Sequence, residues 1–188
     1  MQVTLKNAFT IDQPIEKVWA FLTDPYQVAP CMPGAEILEQ VDEKTYKGGV
    51  KMKLGPFTSQ FKGEIVIEEM NAATHEIRMV GKGKDARGTG SATMTITGKL
   101  VALPDGGTEM QSTSDLVISG KIAQFGSRMI EDVSKSMFNK FTAAFSARIE
   151  GGEAAPDAGD ALSVTEVAGT VVKGVVGRLL GKGEDSGS

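Results

Sequence analysis

One Cys, one His and one Trp occur in 188 residues. A single Cys excludes an internal disulfide framework and any Cys-cluster metal site. A single His leaves little for a metal set or a hydrolytic triad, since each needs several such groups converging. There is no excess of positive charge. A net charge of -4 excludes the general basic field of a nucleic-acid binder. No apolar run is long enough to be expected to span a membrane, because charges punctuate even the most apolar segment, near the C-terminus. The opening MQVTLKNAFTI lacks the basic stretch and apolar run of a secretory leader, so none is expected. What is present, 40% hydrophobic and 23% charged residues, is ordinary for a soluble globular protein, and the length suits one domain with a tail.

The chain opens on a strand pattern, with Val3, Leu5, Asn7, Phe9 and Ile11 alternating with polar or small residues. Pro14, expected as the first helical residue, then introduces Ile15, Val18, Trp19 and Leu22 on one helical face. Asp24-Pro25 reads as the cap and start of a second short helix, which the segment Pro30 to Gly34 cannot continue. From Ala35 to Gly120 the period is two, divided by turn signals at Asp42-Glu43, Gly55-Pro56, Asn71-Ala72, Asp85 to Gly88 and Pro104 to Gly107. Strands are predicted near 35–41, 44–54, 57–68, 74–84, 88–102 and 108–119. The turns suit antiparallel hairpins, so the region reads as a meander of about seven strands with the first included. A long helix follows over about 121–149, with Ile122, Phe125, Met129, Ile130, Val133, Met137, Phe141, Ala144 and Phe145 at helical spacing. Its apolar stripe needs a broad surface, and the sheet is the one available.

Every second residue of each strand gives the face offered to that helix. It holds Met52, Phe57, Phe61, Met79, Met94, Met110 and Leu116, but also the small residues Gly48, Ser59, Gly63, Ala92, Ser112 and Ser114. A helix seated directly on the sheet at interior density would demand large residues there. Small and Met positions point instead to a mainly apolar cavity with a few hydroxyls, the make-up of a small-molecule site. The plainer alternative is that the glycines mark bulges in a bent sheet and Met fills an ordinary core.

Residues able to carry chemistry are sparse. His75 lies near a turn with the surface phase, and no nucleophile and acid are placed beside it. Cys31 has no activating partner in sequence and suits a small buried hydrophobe. No metal site and no catalytic residue are expected. Gly81 to Lys84 and Arg87 to Gly90 lack the full pattern of a phosphate loop and lead into strand, so they read as hairpin ends. Lys47, Lys51, Lys53 and Lys62 share the outer face of the sheet, either as a solvated surface or as a docking patch for an acidic partner.

Beyond the domain, 151–162 is rich in Gly, Ala, Pro and Asp and reads as a flexible linker. An amphipathic helix is predicted over 163–181, opened by the capping-box spacing of Ser163 and Glu166. Val164, Val167, Val171, Val172, Val175, Val176, Leu179 and Leu180 cover more than half its circumference, the layout of an in-plane interfacial helix. Gly169, Gly174, Gly177 and the Val residues cost this helix about 6 kcal/mol relative to Ala. Burying each Val or Leu returns roughly 1.5–3 kcal/mol. The tail is therefore expected to fray in water and to be helical when docked on a membrane, on a partner or on its own domain. Residues 182–188 read as a disordered end.

Pro14, Val18-Trp19, Asp24-Pro25, Cys31-Met32-Pro33-Gly34-Ala35-Glu36, Gly55-Pro56-Phe57 and Gly120-Lys121-Ile122-Ala123-Gln124-Phe125-Gly126-Ser127-Arg128 carry a resemblance over residues 1–150. The order of elements resembles the START-like (SRPBCC) superfamily of hydrophobic-ligand-binding domains, and the motifs together resemble the CoxG family of carbon monoxide dehydrogenase. The resemblance implies an α+β helix-grip fold, with a curved antiparallel sheet of about seven strands wrapped on a long C-terminal helix and two short helices after the first strand. It also implies a non-catalytic accessory of a molybdenum hydroxylase such as carbon monoxide dehydrogenase. Such a protein would be cytoplasmic, peripheral on the inner face of the cell membrane, and would handle a respiratory quinone such as menaquinone or ubiquinone, with no covalent cofactor. Strand and helix phase then assign Met52, Phe57, Phe61, Met79, Met94, Met110, Leu116, Phe125, Met129 and Val133 to the lining, with Ser112 or Ser114 bonding a quinone carbonyl. A purely structural membrane recruiter is one alternative. A polyketide cyclase- or hydratase-like enzyme is another, and it would need an acid/base group that the inner-face positions do not supply.

Overall fold

The computed structural model describes residues 1–54 and 57–151, with the side chains of Leu54 and Phe57 set aside. The Gly55-Pro56 turn, the linker expected from 152, the membrane-facing helix expected over 163–181 and the tail 182–188 lie outside the described residues. The elements are β1 (Gln2–Ile11), α1 (Ile15–Leu22), α2 (Pro25–Val28), β2 (Ala35–Gln40), β3 (Thr45–Leu54), β4 (Phe57–Asn71), β5 (Glu76–Asp85), β6 (Gly90–Ala102), β7 (Thr108–Gly120) and α3 (Gly126–Ile149). Short 3-10 turns at Ala29–Cys31 and Lys121–Phe125 precede β2 and α3. The expected long helix over 121–149 is thus a 3-10 turn followed by α3, and β4 extends to Asn71.

All seven strands form one antiparallel sheet in the order β1-β7-β6-β5-β4-β3-β2. The meander β2–β7 follows the chain. β1 closes it by pairing along β7, from Gln2 opposite Val117 to Ile11 opposite Thr108. The short helices carry the chain from one edge of the sheet to the other. Four hairpin turns share one device, in which an Asp or Asn side chain accepts backbone N–H groups of the turn it opens. Asp42 takes Lys44 and Thr45, Asn71 takes Ala73 and Thr74, Asp85 takes Arg87 and Thr89, and Asp105 takes Gly107.

Local chemistry sets the helix ends. Asp24 caps α2 by accepting from the Tyr26 N–H at 3.0 Å. Pro14, expected as the first helical residue, instead stands just outside α1 in extended geometry. Gly120 turns the chain from β7 into α3. Its φ is 79°, and a Cβ there would collide with the Thr89 carbonyl oxygen, so only glycine fits.

The core is divided. One cluster packs Ile11, Val18, Trp19, Tyr46, Leu100, Met110, Phe141 and Phe145 at the end of the sheet covered by α1 and the last turns of α3. A second packs Val3, Phe61, Ile118, Ile122, Ile130 and Val133 at the other end. Among the elements, α3 lies against β1 and the two 3-10 turns. It therefore grips the sheet at its β1 margin and at both ends, where the sequence pattern had suggested seating across the whole inner face.

Candidate functional site

Between the two clusters lies the middle of the inner face. The register sets Met94 opposite Leu116 and Gly81, Ile96 opposite Ser114 and Met79, and Gly98 opposite Ser112 and Ile77. On β1, Asn7 faces Ser112 and Leu5 faces Ser114. Met94 and Ile96 belong to neither core cluster and are half-buried. The side chains of Asn7, Ser112 and Ser114 are half-buried and make no hydrogen bond among the described residues. Toward β4 the inner face opens further, and Ile65, which points inward, is 45% exposed. The result is an apolar stretch with three uncommitted polar side chains, not a close-packed interior.

The residues assigned to the lining all fall on the side enclosed by the inner sheet face and α3, but not at one depth. Met94, Ser112 and Ser114 occupy the middle. Met52, Leu116, Phe125 and Met129 are half-buried against the second cluster, and Met79 against the first. Met110 is a member of the first cluster, and Phe61 and Val133 of the second. Phe57 starts β4, and its side chain is outside the described set.

Some of the small inner residues have another cause. A Cβ on Gly63 would fall on the Lys82 carbonyl oxygen, and one on Gly48 on that of Glu36. These glycines let neighbouring backbones approach where the sheet bends, the plainer of the two sequence readings. Ser112, Ser114 and Ala92 carry no such constraint.

Two polar residues of the inner face escape a reading by strand phase alone. Asn7 sits in an apolar alternation and looks incidental, yet β1 pairing sets it beside Ser112. Asp85 reads as a turn residue, but it pairs with Phe61 on the inner face and is 5% exposed. The expectation of no acid on that face is therefore corrected, because the last residue of β5 both closes the turn and keeps the strand's inward phase. Its Oδ2 accepts from the Thr89 hydroxyl at 2.5 Å and from the Arg87 and Thr89 amides, while Oδ1 is buried without a partner. The Thr89 hydroxyl holds the carboxyl below its usual range, against the opposing effect of burial. A carboxylate with a depressed pKa contributes stability above its unfolded value of 3.8, lost as pH falls through the folded value. Replacing Asp85 with Asn is expected to cost about 1–3 kcal/mol near pH 7. Urea unfolding should show that gap closing below about pH 4. An equal gap in acid and at neutral pH would mean the tie is not ionic.

His75 also differs from its expected surface phase. Its turn takes φ to 52°, and the ring sits edge-on to Trp19 at 5.4 Å, with the side chain 16% exposed. Nε2 lies 3.3 Å from Glu16 Oε1 without hydrogen-bond alignment. Cys31 is 1% exposed, and its thiol donates to the Gln27 carbonyl. Burial pushes the thiol up, with Arg148 opposing, so it is a poor nucleophile. Among the described residues, no helix is long and apolar enough to cross a membrane.

No curated protein matches the chain. Among solved structures, a conserved protein from Geobacillus kaustophilus superposes with a TM-score of 0.73 at 21% identity, over 79% of this chain and 96% of that one. An aromatase/cyclase from Streptomyces sp. R1128 gives 0.58 at 15% identity, over 80% and 94%. A START superfamily protein from Mycobacterium smegmatis gives 0.55 at 14% identity, over 79% and 97%. At these identities the likeness carries the fold alone, which is START-like. The family model for CoxG, a component of carbon monoxide dehydrogenase, matches residues 8–150.

Proposed function

The chain belongs to the CoxG family of carbon monoxide dehydrogenase, and from that premise we propose that it is a non-catalytic accessory of a molybdenum hydroxylase that carries a lipophilic respiratory quinone and links the enzyme to the membrane. The observation that carries the ligand half of this reading is the divided core. Half-buried Met94 and Ile96 lie between two packed ends, beside Asn7, Ser112 and Ser114 with their polar groups free among the described residues. An isoprenoid chain requires such an apolar bed. A quinone head requires a few hydrogen-bond donors, which Ser hydroxyls and the Asn amide supply. The membrane half rests on the composition of 163–181, a Val- and Leu-rich face following a Gly- and Pro-containing linker.

The physical need for such a carrier is plain. A long-tailed quinone is nearly insoluble in water, whereas a peripheral dehydrogenase is soluble. An apolar bed held at the bilayer by a tail helix moves the lipid between them.

The aromatase/cyclase neighbour raises an enzymatic alternative, and Asp85 is the residue that would serve it. A general acid or base works best with a pKa near the operating pH. Asp85 is held the other way, ionised and tied into its own turn by Thr89 and Arg87. The accessory reading is therefore favoured.

The test is native mass spectrometry, with solvent extraction, of the full chain purified from its own host without detergent. About one quinone per chain is the expected result. A chain that purifies empty and takes up no quinone, yet binds liposomes through 163–181, would leave only a structural recruiter. Deleting 151–188 separates the two functions, since a carrier should still bind the lipid in solution.

A further inference from the structure

The outer face of the sheet carries two open troughs. The larger, of about 590 Å³, crosses β3 to β6. Its floor is the backbone of Gly48, Gly63 and Gly83, where missing side chains lower the surface. Its walls include Lys47, Lys62, Lys82 and Lys84. Lys51 and Lys53 continue the same outer phase along β3, so six lysines share one patch in a chain of net charge -4.

The patch is not arranged for stability. Lys62 and Lys84 stand directly opposite each other on β4 and β5. Like charges at that position destabilise a sheet. Lys47 is paired with Glu39 at 3.0 Å, and Lys82 has Glu64 across the strands. Lys62 and Lys84 have no carboxylate within ion-pair reach among the described residues.

We propose that this trough is the docking surface for an acidic face of a soluble protein, namely the partner enzyme. The inference rests on the accessory reading above and names the face that meets the enzyme. Orientation favours a protein over an anionic membrane. The exposed part of the inner face, marked by Ile65, lies on the opposite side of the same strands. One flat bilayer cannot touch both faces of a sheet. If lipid exchanges through the inner side, the lysines point away from the bilayer toward the aqueous phase. Lysines on long stems steer encounter through long-range attraction and act mainly on the association rate.

The experiment measures association of the full chain with the molybdenum hydroxylase purified from the same host, at low and at physiological salt. Variants are Lys84→Glu alone and Lys62→Glu with Lys84→Glu. The control carries equal charge reversal elsewhere, Lys6→Glu with Lys121→Glu. Lys84→Glu replaces a like-charged cross-strand pair with an opposite-charged one, so its Tm should not fall and misfolding is not a confounder. The double variant is expected to associate about tenfold more slowly, with a weaker salt dependence, and the control to stay within about twofold of wild type. Equal effects of the control and trough variants would overturn the docking face. Unchanged enzyme association with lost binding to phosphatidylglycerol vesicles would assign the trough to the membrane instead. Absence of any wild-type association with the enzyme would overturn the accessory reading itself, a result distinct from the other two.

Discussion

Phe145→Ala should lower the melting temperature by on the order of 10 °C, the largest single-residue loss of stability expected in the domain. The ring is 0% exposed and is the centre of an aromatic group, 4.9 Å from Phe21, 5.5 Å from Phe141 and 6.1 Å from Phe9. Those three rings come from α1, α3 and β1, so Phe145 joins elements distant in sequence. Truncating a buried Phe to Ala costs about 3–5 kcal/mol, because the cavity left behind closes only in part. A domain of this size has roughly 5–15 kcal/mol in total and loses about 2–4 °C per kcal/mol. Phe138→Ala is the comparison, since that half-buried ring meets Phe9 edge-on at 5.7 Å and lies in neither cluster. Its loss should be less than half as large. Thermal melts of both variants decide the matter, and equal shifts would mean that the α1 end is not the domain's principal packed core.

The second large effect is on ligand content. Met94→Trp combined with Leu116→Trp is expected to reduce co-purifying quinone to less than about a tenth of wild type while leaving Tm within a few degrees. The two residues face each other across β6 and β7 on the inner side, Met94 outside both clusters and Leu116 half-buried beside the second. Indole rings there would occupy the space that an isoprenoid chain needs. The same variant reads the packing independently. Forcing larger side chains into a close-packed interior costs about 1–3 kcal/mol, whereas filling open space does not. Loss of ligand with retained Tm supports an unfilled middle. Loss of Tm indicates an ordinary core, and undiminished quinone rejects these residues as lining.

Much of this architecture can be read without coordinates. Alternation of period two from Ala35 to Gly120, broken by Asp, Asn, Gly and Pro, is enough to number the strands, because the side-chain period of a strand is fixed by its geometry. The helical spacing of Ile130, Val133, Phe141 and Phe145 marks α3 in the same way. The positions that misread are those where one residue serves two elements. Asp85 ends a strand and closes a turn, His75 bends through φ 52° onto Trp19, and Pro14 caps α1 from outside it. Local spacing describes each residue's own element and is silent about the second.

Periodicity and turn chemistry by themselves determined a single α+β domain with a seven-stranded meander, a closing helix and an apolar C-terminal segment. Only the tertiary structure decided that the core divides into two clusters, that Asn7 stands beside Ser112, and that Lys82 and Lys84 join Lys47 and Lys62 around one trough. The physical reason is register and coiling. Which residues meet across strands depends on how β1 returns to β7, and on how far the sheet bends at Gly48 and Gly63. Both are set by long-range pairing that no local pattern encodes.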